Sequence, residues 1–289
     1  LHTVAFLPQG DGALHLASAG EDGKIYRWDV ATGNEIGCLE PEDSQLSGSS
    51  HRVWSLVASP NGEALFSTGD DAFIRLWHLS DRVCLKVLSG HTSRIWALTL
   101  SPDGQTLVSG GDDQSIRFWS VQNGQCLRIL RGYYNHTTPI AFTQAGLLTF
   151  SMDQTLRWWD LTTRQSLKTL YFPAKTALHV ALSPDQQTLA IGSVDYTVRL
   201  YDLAHGVLLK TFYGHLAWVR GVAFSPNGKW LASASGDQTI KLWCVATGEC
   251  LKTFAGHTSP VRSIAFHPTG KFLASGSWDK TLKLWDVEQ

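Results

Sequence analysis

The sequence predicts an all-β fold, a seven-bladed β-propeller of four-stranded antiparallel blades. Three observations lead to it: a unit that recurs seven times in 289 residues, short alternating apolar runs inside each unit, and no long apolar stripe of helical period. One four-stranded sheet leaves both faces uncovered, whereas seven sheets packed radially bury each face against a neighbour. A single domain is therefore expected over residues 1–289.

An aromatic residue and an aspartate mark every copy of the repeat. Successive aromatic positions are 49, 42, 40, 42, 42 and 42 residues apart, and each has an aspartate six residues earlier. The aromatic residues, expected on the third strand of each blade, are Trp28, Trp77, Trp119, Trp159, Tyr201, Trp243 and Trp285. The aspartates, expected in the turn before that strand, are Asp22, Asp71, Asp113, Asp153, Asp195, Asp237 and Asp279.

The strands are clearest in the sixth unit, which begins at Val219. It divides into four runs, VRGVAF, WLASAS, TIKLWCV and CLKTFA, separated by PNG, GDQ and ATGE. Each run alternates or is rich in β-branched and aromatic residues, and each separator carries turn-forming Gly, Asn or Asp. The unit is therefore predicted to be a four-stranded antiparallel meander.

Three departures from the regular unit are expected. Seven extra residues within 38–50 should form an acidic, flexible loop between the first two blades, and the fourth unit is two residues short near 141–146. The first strand is expected near residues 3–6 and the last near 281–287, so the seventh blade should lack its outer strand. Either residues preceding Leu1 in a longer protein supply that strand, or its edge is open to a partner or to aggregation.

Recurrent dipeptides suggest a family. The chain resembles the WD-repeat β-propellers along essentially its whole length, on the evidence of Trp28-Asp29, Trp159-Asp160, Trp285-Asp286, Gly90-His91, Gly214-His215 and Gly256-His257. The close similarity of LASASGDQTIKLW and LASGSWDKTLKLW in the last two units also resembles the WD-repeat regions of bacterial multidomain regulators. That resemblance implies a sensing or scaffolding part of a larger regulatory or signalling protein.

A histidine, a serine, an aspartate and a tryptophan recur together in three units, with 28 residues from His to Trp each time. The sets are His91, Ser109, Asp113 and Trp119; His215, Ser233, Asp237 and Trp243; and His257, Ser275, Asp279 and Trp285. A hydrolase triad needs only one such set, so three at identical spacing favour architecture. The family resemblance implies structural tetrads. Other units have Ser49, Tyr133 or Pro173 in place of His, or Ile191 in place of Ser, and those blades are expected to be held more by packing than by polar bonds.

The resemblance also implies a partner-binding rim, the top face, around the start of each inner strand and just before each turn aspartate. The positions on the arginine- and tryptophan-rich part of this rim are Arg52, Trp54, Asp70, Arg94, Trp96, Asp112, Trp218, Arg220, Arg262 and Trp278. The first unit contributes His2 and Glu21, and units four and five carry the blander His136, Thr138, Met152, Leu178 and Val194. Trp and Arg are the side chains that most often anchor interfaces.

The leading functional hypothesis is a non-catalytic scaffold whose top face binds a protein or peptide, including other domains of a longer chain. One alternative is a reader of small molecules or nucleic acid that uses the same Trp and Arg residues. The other is an enzyme with an axial pocket, for which only His2, Glu21, Asp70 and Asp112 are candidates.

Composition narrows these classes. A net charge of -1 gives no bulk attraction to nucleic acid or anionic lipid, and no apolar run reaches the length of a membrane span. No cofactor loop of the GxxxxGK type or metal-ligand spacing occurs. Cys84, Cys126 and Cys250 share one register in separate units and cannot easily pair, which predicts reduced thiols and a cytoplasmic location.

Overall fold

The computed structural model describes residues 1–8, 14–41, 52–133, 137–143, 146–161, 163, 165–171 and 177–287. The described residues contain β-strands and no helix, and the strands form seven consecutive antiparallel sheets. Six sheets have four strands and the last has three, so the predicted seven-bladed β-propeller is confirmed. The chain divides into two compact units, and the single domain stays a prediction. We call His2–Thr169 the N-terminal unit, and Leu1 with Leu170–Gln289 the C-terminal unit.

Blades 1–4 begin in the N-terminal unit, and the boundary between the units falls inside the last strand of blade 4. Their strands are β1 (Thr3–Leu7), β2 (His15–Ala19), β3 (Ile25–Asp29) and β4 (Glu35–Leu39); β5 (Val53–Ala58), β6 (Ala64–Gly69), β7 (Ile74–His78) and β8 (Val83–Leu88); β9 (Ile95–Leu100), β10 (Thr106–Gly111), β11 (Ile116–Ser120) and β12 (Cys126–Leu130); β13 (Thr137–Thr143), β14 (Gly146–Ser151), β15 (Thr155–Trp159) and β16 (Ser166–Tyr171).

Blades 5–7 lie in the C-terminal unit. Their strands are β17 (Ala177–Leu182), β18 (Thr188–Ser193), β19 (Val198–Asp202) and β20 (Leu208–Phe212); β21 (Val219–Phe224), β22 (Trp230–Ser235), β23 (Ile240–Cys244) and β24 (Cys250–Phe254); β25 (Val261–Phe266), β26 (Phe272–Ser277) and β27 (Leu282–Asp286).

Within each unit, neighbouring blades bury their faces against each other. In the C-terminal unit, Val198 and Phe212 of blade 5 pack with Val219 and Trp243 of blade 6. In the N-terminal unit, equivalent cores join blade 1 to blade 2, blade 2 to blade 3 and blade 3 to blade 4. The first strands β1, β5, β9 and β13 are successive neighbours, as are β17, β21 and β25. The third-strand aromatic residue is thus a core residue in blades 2 to 6, where Trp243 for example is only 2% exposed, and it is half-buried in blades 1 and 7.

The turn between the second and third strands has the same conformation in every blade. Its aspartate accepts the amide of the residue two positions later, as Asp237 does from Thr239 at 2.9 Å. The residue between them has a positive φ in all seven blades: Gly23, Ala72, Gln114, Gln154, Tyr196, Gln238 and Lys280. Glycine adopts positive φ without steric cost, so Gly23 is the one residue of the seven whose type indicates this conformation in the sequence. The other six are residue types for which the left-handed conformation is unfavourable.

The irregular positions are largely as expected. β13 ends at Thr143 and β14 begins at Gly146, which confirms a short first connection in blade 4. Blade 7 has three strands in the described residues, and β27 pairs with β26. The expected loop at 38–50 begins later than predicted, because Cys38 and Leu39 belong to β4. Its remainder, from residue 42, lies outside the described residues.

Candidate functional site

The three repeated His, Ser, Asp and Trp sets are brought into hydrogen-bond contact. In blade 6, His215 Nδ1 lies 2.8 Å from Asp237 Oδ2, and its Nε2 lies 2.7 Å from Ser233 Oγ. Trp243 Nε1 donates to the same Ser233 oxygen at 2.8 Å. Contacts of 2.7 or 2.8 Å join the corresponding atoms of His91, Ser109, Asp113 and Trp119 in blade 3, and of His257, Ser275, Asp279 and Trp285 in blade 7.

This arrangement has the connectivity of a hydrolase triad, but its burial favours a structural role. A carboxylate only accepts, so Nδ1 carries the histidine proton, and Nε2 accepts from the serine hydroxyl. The serine oxygen then accepts the indole N–H, so every polar atom of the serine and the imidazole has a partner. All three serines, Ser109, Ser233 and Ser275, are 0% exposed, and no substrate can reach them. The sets fasten the blade together.

The aspartate is the centre of each network. Burial alone would raise the pKa of the Asp237 carboxyl, but hydrogen bonds, led by those from His215 and Thr239, outweigh it. They hold this pKa well below its usual range. The Leu216 amide is a further donor, at 2.9 Å. A hydroxyl two residues after the turn aspartate also donates to its carboxylate in five blades, and it was not identified from the sequence. The residues are Ser115, Thr155, Thr197, Thr239 and Thr281.

Blade 4 keeps a polar network although it lacks the histidine, and that blade was expected to be held more by packing than by polar bonds. The Tyr133 hydroxyl lies 2.7 Å from Thr149 Oγ1, and Trp159 Nε1 donates to the same atom at 3.0 Å. Burial raises the pKa of Tyr133 to about 12, which keeps its hydroxyl proton available for this contact. Ser49 and Pro173, the replacements in blades 2 and 5, lie outside the described residues.

In the N-terminal unit, the predicted rim residues form the blade 2–3 cluster of Trp54, Asp70, Arg94, Trp96 and Asp112. Trp54 Nε1 donates to Asp70 at 2.6 Å, and Arg94 donates to the same carboxylate. Trp96 Nε1 donates to Asp112, and the Trp54 and Trp96 ring centroids are 4.8 Å apart. These side chains therefore hydrogen-bond and pack with one another inside the protein.

The remaining rim residues of this unit lie at the margin of the blade 2–3 cluster. His2 stacks on Trp54 with ring centroids 4.2 Å apart. Arg52 Nε and His2 Nε2 each lie 3.9 Å from Glu21 Oε1. The candidates for an axial enzyme pocket were His2, Glu21, Asp70 and Asp112, and the two aspartates already accept indole N–H groups. The contacts of these residues support a structural network.

In the C-terminal unit, the predicted rim residues form a different arrangement, the blade 6–7 cluster of Trp218, Arg220, Arg262 and Trp278. The Arg220 guanidinium lies 5.1 Å from the Trp218 ring, and that of Arg262 lies 5.3 Å from Trp278. The two indoles meet at a steep angle with centroids 5.9 Å apart. The cluster therefore presents two cations stacked on two aromatic rings, with no carboxylate at the rim positions of these blades.

A glycine makes room for this cluster. Gly236 precedes the turn aspartate of blade 6, the position that Asp70 and Asp112 occupy in blades 2 and 3. A Cβ atom at Gly236 would lie 2.7 Å from the Trp218 ring. Because Gly236 has no side chain, the Trp218 indole can lie against the turn. Blade 6 therefore has no carboxylate at the position where blades 2 and 3 have Asp70 and Asp112.

Other site chemistry is not assembled in the described part of the chain. Those residues contain no group of three or more His, Cys, Asp or Glu side chains placed to hold a metal ion. They also contain no helix that is long and apolar enough to cross a membrane. Cys84, Cys126 and Cys250 lie in the equivalent strands β8, β12 and β24, as their register predicted.

A comparison with protein families identifies the repeat. Residues 1–243 match the family model described as IFT122 first beta-propeller. The chain belongs to this propeller family. Residues 248–286 match the WD domain, G-beta repeat, so the predicted WD-repeat resemblance is confirmed through blade 7. Families of WD-repeat propellers are generally non-enzymatic interaction scaffolds, which fits the buried tetrads.

Curated relatives of this propeller match over short segments. A subunit of chromatin assembly factor 1 from Gallus gallus is 37% identical over 82 residues, 28% of this chain and 14% of that protein. Nuclear distribution protein PAC1 of Arthroderma benhamiae is 40% identical over 83 residues, 27% of this chain and 16% of that protein. The chain thus matches less than a fifth of either relative's length. Neither relative supports the expected likeness to bacterial multidomain regulators.

The blander rim positions of the propeller are also placed. Met152 in blade 4 and Val194 in blade 5 are exposed, at 38% and 43%, and Leu178 is half-buried. Thr138 Oγ1 lies 3.5 Å from the Phe150 carbonyl oxygen in its own blade. His136 lies outside the described residues. The four of these positions that the structure describes carry no cationic side chain, in contrast to the blade 6–7 cluster.

Proposed function

We propose that this protein is a non-catalytic interaction scaffold that binds a protein or peptide at the blade 6–7 cluster, on the top face expected from the sequence. The observation that carries the proposal is the exposure of Trp278. It is 44% exposed, the only exposed member of the twelve tryptophans, all of which lie in the described residues. An indole left partly in water beside two arginines has the composition of an interface anchor.

Two exposed apolar residues precede Trp218 closely in the sequence. Leu216 is 83% exposed and Tyr213 is 74% exposed, and both belong to the segment that leads into β21. The Leu216 amide donates to Asp237, so the tetrad fixes the backbone of this segment. A rigid backbone that carries exposed apolar side chains binds with little loss of conformational entropy. The names of the two relatives, a subunit of an assembly factor and a distribution protein, are compatible with a scaffold.

A reader of nucleic acid or of a small molecule is the second candidate, because stacked Trp and Arg residues also bind bases. Such a reader would show binding that weakens steeply with salt, since each neutralised phosphate releases counterions. The net charge of -1 favours the protein or peptide partner.

The test is affinity capture from a native lysate with the wild type and the double variant Trp218→Ala/Trp278→Ala. The matched control is Leu127→Ala/Leu251→Ala, which truncates exposed apolar residues on the outer strands β12 and β24. Proteins retained by the wild type and the control but lost from the Trp double variant are the expected result. Equal capture by all three folded proteins would contradict the proposal, and capture of nucleic acid alone would favour the second candidate.

A further inference from the structure

We propose that the blade 6–7 cluster recognises an acidic peptide segment, in which Arg220 binds the carboxylate of an Asp or Glu side chain next to an apolar residue. This inference rests on the proposed function and adds the chemistry of the partner. Three observations support it. The guanidinium of Arg220 is partly buried, no carboxylate of blade 6 pairs with it, and apolar side chains in blades 6 and 7 are exposed.

Arg220 is the second residue of β21, and its side chain is half-buried. Its Nε atom is buried and has no hydrogen-bond partner, and Arg220 makes no ion pair in the described residues. Burial lowers the pKa of this guanidinium, and no nearby carboxylate opposes the shift. An arginine keeps its charge in proteins, so a partly desolvated guanidinium without a counter-ion favours any ligand that supplies one.

Arg94 in blade 3 shows what blade 6 lacks. Its guanidinium also stacks on an indole, that of Trp96, but it donates to the Asp70 carboxylate. Asp70 belongs to the blade before Arg94, and Arg220 occupies the register position of Trp96. The position before the turn aspartate is Val194 in blade 5, Gly236 in blade 6 and Trp278 in blade 7, and none of these residues carries a carboxylate. A carboxylate brought by a partner would supply to Arg220 the kind of contact that Asp70 supplies to Arg94 inside the protein.

The surroundings of Arg220 select a carboxylate on a peptide rather than a phosphate group. The Arg220 guanidinium lies over the face of the Trp218 ring. A planar guanidinium held in this way can donate two parallel N–H bonds to one carboxylate. Only two cations belong to the cluster, whereas sites for phosphorylated peptides use larger groups of arginines. The exposed Leu216 and Trp278 side chains offer contact to an apolar neighbour of the acidic residue.

The test is selection from a phage library of random dodecapeptides against the wild type, Arg220→Gln and the control Arg131→Gln. Arg131 is an exposed arginine of the N-terminal unit, so this control removes the same charge elsewhere. The wild type and the control are expected to enrich Asp or Glu at one position beside an apolar residue, and Arg220→Gln is expected to lose that preference. An unchanged acidic preference with Arg220→Gln, or motifs without an acidic residue, would overturn the inference.

Synthetic forms of a selected peptide make the assignment quantitative. Replacing its acidic residue by Gln is expected to weaken binding at least tenfold to the wild type and to leave binding to Arg220→Gln nearly unchanged. A phosphoserine form that binds tenfold tighter than the Glu form would overturn the carboxylate assignment. Arg220→Gln should also keep or raise the melting temperature, because it removes an uncompensated charge, and a large decrease would instead indicate a structural role.

The two proposals fail in different ways. Peptides whose binding depends on Trp278 but shows no acidic preference would leave the proposed function intact and exclude the acidic partner. Peptides whose binding is unaffected by Trp218→Ala/Trp278→Ala would contradict both.

Discussion

At the scale of single residues, the surroundings of a side chain decide its role more than its type. Arg94 is neutralised by Asp70, whereas Arg220, also stacked on an indole, has no carboxylate partner in the described residues. Asp237 is likewise the centre of a buried network, although its residue type alone suggested a catalytic set. Ser233 illustrates the physical reason, since complete burial turns a nucleophile into a hydrogen-bond bridge.

The low pKa of Asp237 predicts a loss of stability in acid that can be assigned to this residue. A carboxyl whose folded pKa lies below its unfolded value of about 3.9 stabilises the fold above that pH, and the contribution disappears as the pH falls towards the folded pKa. Asp237→Asn should therefore cost about 1 to 3 kcal/mol at pH 7, because an amide cannot accept from all the donors that face it.

Protonation of the Asp237 carboxylate should remove the extra stability that the wild type has over Asp237→Asn. The difference in unfolding free energy between wild type and Asp237→Asn is expected to shrink as the pH is lowered from about 5 to below about 3, across the reference pKa of about 3.9. Denaturant titrations at several pH values measure it, and groups common to both proteins cancel in the difference. A difference that is constant over this range would contradict the assignment.

At the scale of elements, the turn between the second and third strands is the most regular feature of the blade. Its aspartate accepts a backbone amide, and its next residue is left-handed in all seven blades, with φ of 73° at Gln238 and 63° at Ala72. In three blades the carboxylate of this turn contacts a histidine. The element tolerates strained residues because the tetrad or an arginine holds it.

The strain at Ala72 predicts that a glycine there stabilises the protein. A left-handed conformation costs an ordinary residue roughly 1 to 2 kcal/mol, more than the roughly 0.5 to 1 kcal/mol that glycine loses in chain entropy. Ala72→Gly should therefore raise the free energy of unfolding by about 0.5 to 1 kcal/mol. Ala31, an exposed alanine without a positive φ, is the matched control, and Ala31→Gly should lower it. Destabilisation by both substitutions would contradict a strained turn.

At the scale of the whole molecule, stability comes from repeated contacts between neighbouring blades inside each compact unit. The cores that join successive blades are built from the same register positions, so each blade needs its neighbour to cover its face. Blade 7 differs because its third strand, β27, pairs on one side with β26 and lacks, in the described residues, the second strand neighbour that β23 has in β24. Its Leu284 is 37% exposed, whereas the equivalent Leu242 is 3% exposed.

Because β27 pairs with a strand on one side in the described residues, its backbone amides are predicted to exchange with solvent faster than those of β23 in a protein of these 289 residues. Amides of β27 that point away from β26 have no strand partner in the described residues, so peptides covering Leu282–Asp286 should exchange about tenfold faster than those covering Ile240–Cys244. Hydrogen exchange with mass spectrometry measures both. Equal protection would show that residues outside the described ranges cover this edge.

The sequence by itself determined the fold class, the number of blades, the three strands that blade 7 has in the described residues and the residues of the three tetrads. It could do so because a register repeated seven times fixes which residue type each position requires, and local turn chemistry fixes the strand ends. It also located the rim positions, but it assigned the same interface role to Trp54, Arg94, Trp218 and Arg220.

Only the tertiary structure separated these rim residues. The hydrogen bonds of Trp54 and Arg94 with Asp70 join residues 16 and 24 positions apart, and the blade register alone does not state whether a side chain reaches its neighbour. The space that Gly236 leaves for Trp218 depends on how the chain folds back on itself in blade 6. Charge compensation and close packing are properties of distances between side chains, so they appear only when the blades are assembled.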